Sequence, residues 1–142
     1  MNKMIKHKKI EYTGNIFNID IELTNNIVIW RGNSATGKTF VCDVIKTENE
    51  MALDESFKNI KIIDIHTEEF LEQLQNYTGM LIIIDNADII LTRKLQNFIN
   101  SDDKNQYIII GRGKFNFDIP LASYGELYID GKTIKADYKY KR

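Results

Sequence analysis

Residues 32–39 combine glycines, a lysine and a threonine in the spacing G-x-x-x-x-G-K-T. Glycines let a backbone curl around phosphate groups with its N–H groups pointing inward, while Lys38 adds a positive charge and Thr39 a hydroxyl that ligates Mg²⁺. The helix predicted to start at Lys38 adds the positive end of its dipole. The segment therefore predicts a site for a nucleoside triphosphate with Mg²⁺. The predicted binding residues are Gly32, Asn33, Ser34, Ala35, Thr36, Gly37, Lys38, Thr39 and the adjoining Phe40.

A second polar position follows a buried-strand pattern further along the chain. The apolar run Met80–Ile84 ends in Asp85. Because ligands of open α/β sheets bind outside the carboxyl ends of the strands, we expect Asp85 to face the phosphate loop. There its carboxylate would hold Mg²⁺ through water, next to Thr39. The alternative is that Asp85 or Asp88 only caps the following helix, and we favour the metal role for Asp85.

The elements that position these residues follow from the hydrophobic pattern. Short isoleucine-rich runs predict strands that are buried on both faces, at 27–30, 60–65, 80–84 and 107–110. Helical patterns alternate with them, at Lys38–Thr47, Glu68–Asn76 and Ile89–Asn100. This alternation predicts the α/β class, a mostly parallel sheet with flanking helices. Alternating segments around two turns predict antiparallel hairpins at both termini, from 5–12 with 17–23 and from 127–129 with 133–136.

Composition limits the classes of protein that need to be considered. The length of 142 residues, with 43% hydrophobic and 27% charged residues, predicts one globular domain over 1–142. A net charge of −1 gives little support to a nucleic-acid partner, although both ends of the chain carry lysines. The single Cys42 suits a reducing cytosol and is expected to be buried. Since we see no membrane-spanning apolar stretch in the sequence, we expect a cytoplasmic protein without a membrane partner.

Two of these segments resemble motifs of a known family. Gly32–Thr39 resembles the Walker A motif of P-loop NTPases, and Leu81–Asp85 resembles their Walker B motif. The strand at 60–65 that intervenes between them resembles the additional-strand division, which includes the AAA+, STAND, ABC and RecA-like ATPases. The resemblance covers about Ile27 to Arg112 and implies a P-loop NTPase-like fold that binds ATP or GTP with Mg²⁺.

The subfamily is left open by two competing features. The ribbon Phe17–Leu23 resembles the segment that leads into the phosphate loop of ABC-type ATPases. The sequence Ile110-Gly111-Arg112 instead resembles the polar sensor position of AAA+ and STAND proteins. An arginine there would stabilise charge on the γ-phosphate, and the alternative is a surface arginine in a loop. Arg93 would act on a neighbouring subunit, although we favour the alternative that it lies on a solvated helix face.

The sequence departs from the family at the residue that activates water. A glutamate usually follows the Walker B aspartate, whereas this chain has Asn86. An amide orients water but does not take its proton, so general-base help of about 10²–10⁴-fold would be missing. Asp88 and Glu68 are the two substitutes, with a helix N-cap and a solvated first-turn acid as their alternatives. The predicted catalytic residues are Lys38, Asp85, Arg112 and Asp88.

These residues predict Mg²⁺-dependent binding of a nucleoside triphosphate, with ATP favoured and hydrolysis slow or dependent on a partner. The protein would act as a switch or motor subunit, with a protein partner or as a homo-oligomer. The alternative is a non-hydrolysing nucleotide-binding adaptor, which Asn86 and the small size favour. A small-molecule kinase is less favoured, because only Arg112 and Lys114 fall in the segment that would form a lid.

Overall fold

The computed structural model describes residues 7–31, 37–51, 57–64 and 67–138. Their eight strands form one sheet, whose members are β1 (Lys9–Tyr12), β2 (Asn18–Glu22), β3 (Ile27–Arg31), β4 (Ile60–Ile63), β5 (Leu81–Ile84), β6 (Gln106–Ile110), β7 (Tyr124–Asp130) and β8 (Thr133–Tyr138). The α-helices of these ranges are α1 (Lys38–Met51), α2 (Phe70–Asn76), α3 (Ala87–Ile90) and α4 (Arg93–Ser101). The 3₁₀ turn Leu121–Ser123 leads into β7.

The strands follow the order β1-β2-β8-β7-β3-β6-β5-β4 across the sheet. The pairs β1–β2 and β7–β8 are antiparallel, as expected of hairpins, and β2 pairs in parallel with β8. On the other side of β7, the strands β7, β3, β6, β5 and β4 pair in parallel with their neighbours. The carboxyl ends of β3, β5 and β6 therefore meet at one edge of the sheet.

The two faces of the sheet bury two separate hydrophobic clusters. Side chains alternate between the faces of a strand, so β3 sends Val28 and Trp30 to one side and Ile27 and Ile29 to the other. The first cluster includes the α1 residues Val41, Cys42 and Ile45. The second includes residues of the other three helices, such as Leu74, Ala87 and Ile99. Both faces of β3, β5 and β6 are thus closed to water, which leaves the strand ends as the place for polar chemistry.

The predicted fold class, a mostly parallel sheet with flanking helices and hairpins appended at the termini, is wrong. The eight strands form one mixed sheet that curls into a half-barrel, with four short α-helices in the described ranges. The terminal ribbons are half of this sheet, because β8 pairs with β2 and β7 pairs with β3. Strand pairing across such distances in sequence depends on backbone hydrogen bonds, which the hydrophobic pattern of each segment does not encode.

The individual elements agree with the sequence more closely. The expected strands and the antiparallel pairing of both ribbons are confirmed, with ends that differ by a few residues. The predicted helix Ile89–Asn100 is instead two helices, α3 and α4. The break occurs because Thr92 is extended and its side chain accepts a hydrogen bond from the Leu95 N–H, which makes Thr92 the N-cap of α4. Among the described residues, no helix is long and apolar enough to cross a membrane.

Candidate functional site

A polar cleft of about 220 Å³ opens at the edge where β3, β5 and β6 end. It brings together the start of α1, the residues after β5 and the residues after β6, and its lining consists of Lys38, Thr39, Asp85, Asn86, Asp88, Ile110, Gly111 and Arg112. The volume is below the 300–1,000 Å³ of typical ligand pockets, so the described walls suit a chain of phosphate groups better than a whole nucleotide. Candidate residues that are far apart in the sequence therefore share one cleft.

An apolar groove of about 310 Å³, between the β1–β2 hairpin and α1, is larger than this cleft. Its walls include Tyr12, Ile16, Phe40 and Val44. Groove size alone does not indicate chemistry, and the smaller cleft holds the lysine, threonine, aspartate and arginine that charged ligands require. Phe40, predicted as part of the nucleotide site, lines the groove and does not line the polar cleft.

The predicted phosphate loop is only partly described. Gly32–Thr36 lie outside the described residues, whereas Gly37, Lys38 and Thr39 lie at the start of α1. Gly37 has a φ of 101°, a conformation that side chains disfavour. A Cβ atom on Gly37 would also lie 3.0 Å from the Ile134 side chain of β8. The backbone conformation therefore favours glycine at this position, and a Cβ atom would also require the Ile134 side chain to move by a few tenths of an ångström.

The ammonium group of Lys38 faces a positively charged neighbour. Burial of Lys38 and the charge of Arg112 lower the pKa of Lys38 from its ordinary value of 10.5, while Asp85 and Glu126 act in the opposite direction. Burial is the larger cause. Two cations that approach each other at a half-buried cleft favour an anion between them, because a bound phosphate would offset both the desolvation and the repulsion.

Asp85 lies at the end of β5, whose four residues are all buried. Its Oδ1 accepts a hydrogen bond of 2.9 Å from the Asn86 N–H, which fixes the carboxylate near the cleft. Asn86 itself adopts the left-handed conformation, with φ 54° and ψ 41°. Asparagine tolerates this conformation better than most residues, including glutamate. The local backbone thus gives a physical reason for an asparagine at this position.

Asp88 binds the backbone that follows β6. Its Oδ2 accepts a hydrogen bond of 2.9 Å from the Arg112 N–H, and its Oδ1 accepts a short one from the Gly113 N–H. The segment Gly111–Gly113, called the glycine turn below, is also held from β3, because Arg31 Nη2 donates to the Gly113 carbonyl at 3.1 Å. The Arg31 guanidinium lies 4.9 Å from the centre of the Tyr124 ring. Both Asp88 oxygens are therefore engaged with backbone.

Sequence reasoning missed Arg31, although the signal was present. Arg31 directly follows a buried apolar run, and Asp85 was selected for that same reason. It also missed Asp64, which follows β4 and pairs with Lys46 of α1 at 2.7 Å. This ion pair ties α1 to the same edge of the sheet. The side chain of Lys46 is turned toward Asp64, and neither residue lines the polar cleft.

The other candidates lie elsewhere. Glu68 is exposed and lines a different cleft, near Thr92 and Lys94 at the start of α4, and Arg93 is an exposed residue of the first turn of α4. Cys42 is buried, as expected, and burial is the main cause that raises its pKa to about 12. In the described ranges, no group of three or more His, Cys, Asp or Glu residues is arranged to hold a metal.

A magnesium ion of a nucleotide site does not need such a group. Mg²⁺ keeps several waters and takes one or two protein oxygens together with phosphate oxygens. The Thr39 hydroxyl and the Asp85 carboxylate line the same cleft and fit that donor set. No protein-family model, curated protein or solved structure matches this chain.

Proposed function

We propose that this chain binds a nucleoside triphosphate with Mg²⁺ in the polar cleft, with ATP favoured, and that hydrolysis is slow or dependent on a partner. The observation that carries the proposal is the convergence of Lys38, Thr39, Asp85 and Arg112 on one cleft. These residue types are the ones that phosphate chemistry requires: a cation, a hydroxyl, a carboxylate and a guanidinium. The two cations contribute the positive charge, and Thr39 and Asp85 contribute the oxygens that a magnesium ion takes.

The resemblance to the additional-strand division of P-loop NTPases rests on the order of the two motifs along the chain, with β4 between them. Across the sheet, β4 instead lies at the edge. The strand before the phosphate loop, β3, and the strand that Asp85 follows, β5, are separated by β6. β6 ends at Ile110, two residues before Arg112, so the Arg112 segment follows the strand that lies between the two motif strands.

The roles of the cleft residues follow from charge and position. Lys38 would contact the outer phosphates, Thr39 and Asp85 would hold Mg²⁺, and Arg112 would approach the terminal phosphate from the opposite wall. When bound, the magnesium ion supplies positive charge to the phosphate oxygens. The segment Gly32–Thr36 is expected to supply backbone N–H groups to the phosphates and lies outside the described residues.

Slow or partner-dependent hydrolysis is proposed because, among the described residues that line the cleft, both carboxylates already have another role. Asp85 is committed to the magnesium position, Asp88 binds the glycine turn, and Asn86 carries an amide. A binding protein without turnover, the adaptor alternative, is favoured by the same observation. With slow hydrolysis the protein would act as a nucleotide-dependent switch, and a motor subunit requires the faster turnover that a partner would have to supply. As an adaptor, it would hold the nucleotide without hydrolysing it.

The test is a titration with ATP and GTP, with and without Mg²⁺, followed by the fluorescence of Trp30. This tryptophan is completely buried in β3 and donates to the Tyr138 hydroxyl at 3.4 Å, so it reports on the strand that leads to the loop. Lys38→Ala is expected to weaken binding at least tenfold, since it removes a charged partner of the phosphates. The matched control is Lys61→Ala, on the exposed side of β4. Binding without Mg²⁺ dependence and without an effect of Lys38→Ala would disprove the proposal.

A further inference from the structure

The glycine turn, Gly111–Gly113, is held in place from two sides. From α3, Asp88 accepts hydrogen bonds from the Arg112 and Gly113 N–H groups. From β3, Arg31 donates to the Gly113 carbonyl at 3.1 Å while its guanidinium lies over the Tyr124 ring. The Asp88 contacts restrain both peptide groups that flank Arg112, and the Arg31 contact restrains the next one, so the guanidinium of Arg112 extends from a fixed backbone.

The two glycines of the turn are what allow Asp88 to approach the backbone so closely. A Cβ atom at position 113 would lie 2.5 Å from Asp88 Oδ1, and one at position 111 would lie 3.0 Å from Asp88 Oδ2. Real Cβ atoms do not approach a heavy atom to 2.5 Å, so any larger residue at position 113 would push the carboxylate away. The sequence Gly-Arg-Gly thus places one charged side chain between two residues that are small enough for the Asp88 contact.

The chemistry of Asp88 points to positioning and not to proton transfer. A general base must turn a lone pair toward the attacking water. Both carboxylate oxygens of Asp88 are instead directed at backbone N–H groups of the glycine turn, and a charge-assisted hydrogen bond of this kind is stronger than a neutral one. The side chain that this turn carries, Arg112, lines the cleft and adds to the positive charge that Lys38 experiences.

We propose that Asp88 is a positioning residue, which holds Arg112 toward the terminal phosphate and makes the cleft selective for a nucleoside triphosphate over the diphosphate. This inference rests on the proposed function, because it specifies which phosphate chain the same site prefers. Lys38 would contact phosphates that both nucleotides share. Arg112 would contact the one phosphate that only the triphosphate has, so its restraint contributes to the difference in affinity.

The experiment measures the affinity of a non-hydrolysable ATP analogue and of ADP, each with Mg²⁺, for the full chain and its variants. The wild type is expected to bind the triphosphate at least tenfold more tightly, and Asp88→Ala and Arg112→Ala are each expected to remove most of this ratio. The affinity for ADP should change by no more than about twofold in either variant. The double variant should show no further loss, because both changes remove one and the same contact. Asp103→Ala, an exposed acid before β6, is the matched control.

Gly113→Ala tests the contact between Asp88 and the glycine turn from the side of the turn. It is expected to lower the ratio in the wild-type background and to have little effect in the Asp88→Ala background, where the clash with Asp88 Oδ1 no longer exists. Hydrogen exchange at the Arg112 and Gly113 amides should accelerate in Asp88→Ala, even if that variant loses some stability. Binding that depends on Lys38 with an unchanged triphosphate ratio in Asp88→Ala would overturn this inference alone. Absence of any Lys38-dependent binding would overturn the proposed function and this inference with it.

Discussion

Lys38 and Arg112 face the same cleft from the start of α1 and from the glycine turn, and the charge of Arg112 contributes to the lowered pKa of Lys38. The two residues are far apart in sequence, and the parallel pairing of β3 with β6 brings their strands together. The cleft thus holds two cations that affect each other, and two neighbouring cations favour an anionic ligand.

Replacing Arg112 with glutamine should raise the pKa of Lys38 toward 10.5, because one of the two causes that lower it is removed. Burial remains, so the pKa should not return fully to that value. NMR titration of the lysine side chains would measure the change. The pKa of Lys38 is lower in the folded state, so its contribution to stability rises with pH between the lowered value and 10.5. A Lys38 pKa that does not change in Arg112→Gln would show that the two charges are independent.

The left-handed backbone of Asn86 determines which substitutions at this position should preserve stability. Asn86→Gly should leave the free energy of unfolding nearly unchanged, whereas Asn86→Glu should lower it by about 1 kcal/mol, because glutamate pays a steric cost at φ 54°. Urea unfolding measures both values.

If the position faces the attacking water, Asn86→Glu should also raise ATP turnover above that of the wild type. Robust turnover by the wild type would exclude the adaptor alternative.

Gly37→Ala should destabilise the protein by roughly 1–3 kcal/mol and weaken nucleotide binding, since the change strains φ 101° and crowds Ile134. The variant Ile134→Ala separates the two causes. In that background the crowding disappears while the backbone strain persists, so Gly37→Ala should cost less but still destabilise. Equal costs in the two backgrounds would show that Ile134 does not constrain the loop. Thermal unfolding and the titration of Trp30 fluorescence would measure both effects.

Cys42 should be nearly inert toward thiol reagents in the folded protein. Burial and the charge of Asp85 raise its pKa from 9.0 to about 12, so the thiolate fraction near pH 8 falls about a thousandfold. The folded state favours the protonated thiol, so this residue costs stability as the pH rises above 9.0. Modification by a chromogenic disulfide should be slow in buffer and fast in denaturant. Rapid modification of the native protein would indicate that α1 opens readily from the sheet.

The strands, and several residues that line the polar cleft, could be predicted from the sequence because they depend on local patterns. Isoleucine runs identified the buried strands, and the glycine, lysine and threonine spacing identified the start of α1. Asp85 and Arg112 were selected because each follows a buried strand, and ligands of open α/β sheets bind outside the carboxyl ends of the strands.

The parts that failed depend on contacts between distant segments. Nothing in the sequence of β8 specifies that it pairs with β2, so the ribbons were predicted as appendages and the fold class was wrong. The hydrogen bonds of Asp88 to the glycine turn join residues 24 and 25 positions apart, and a carboxylate in the first turn of a helix has no sequence feature that indicates such a partner. The left-handed conformation of Asn86 could be predicted only in part. Asparagine is one of the residues that adopt this conformation, but most asparagines do not.

The place of β8 between β2 and β7 affects how the chain can assemble during synthesis. The β1–β2 ribbon is synthesised before β8, yet its strand pairing with the rest of the sheet is made through β8. Residues 9–22 therefore have no strand to join until residues 133–138 have been made. Pairing across this distance is slow, and the nascent ribbon presents an unpaired edge meanwhile. Lys9, Asp20 and Glu22 on that ribbon provide charges that discourage other chains from occupying it.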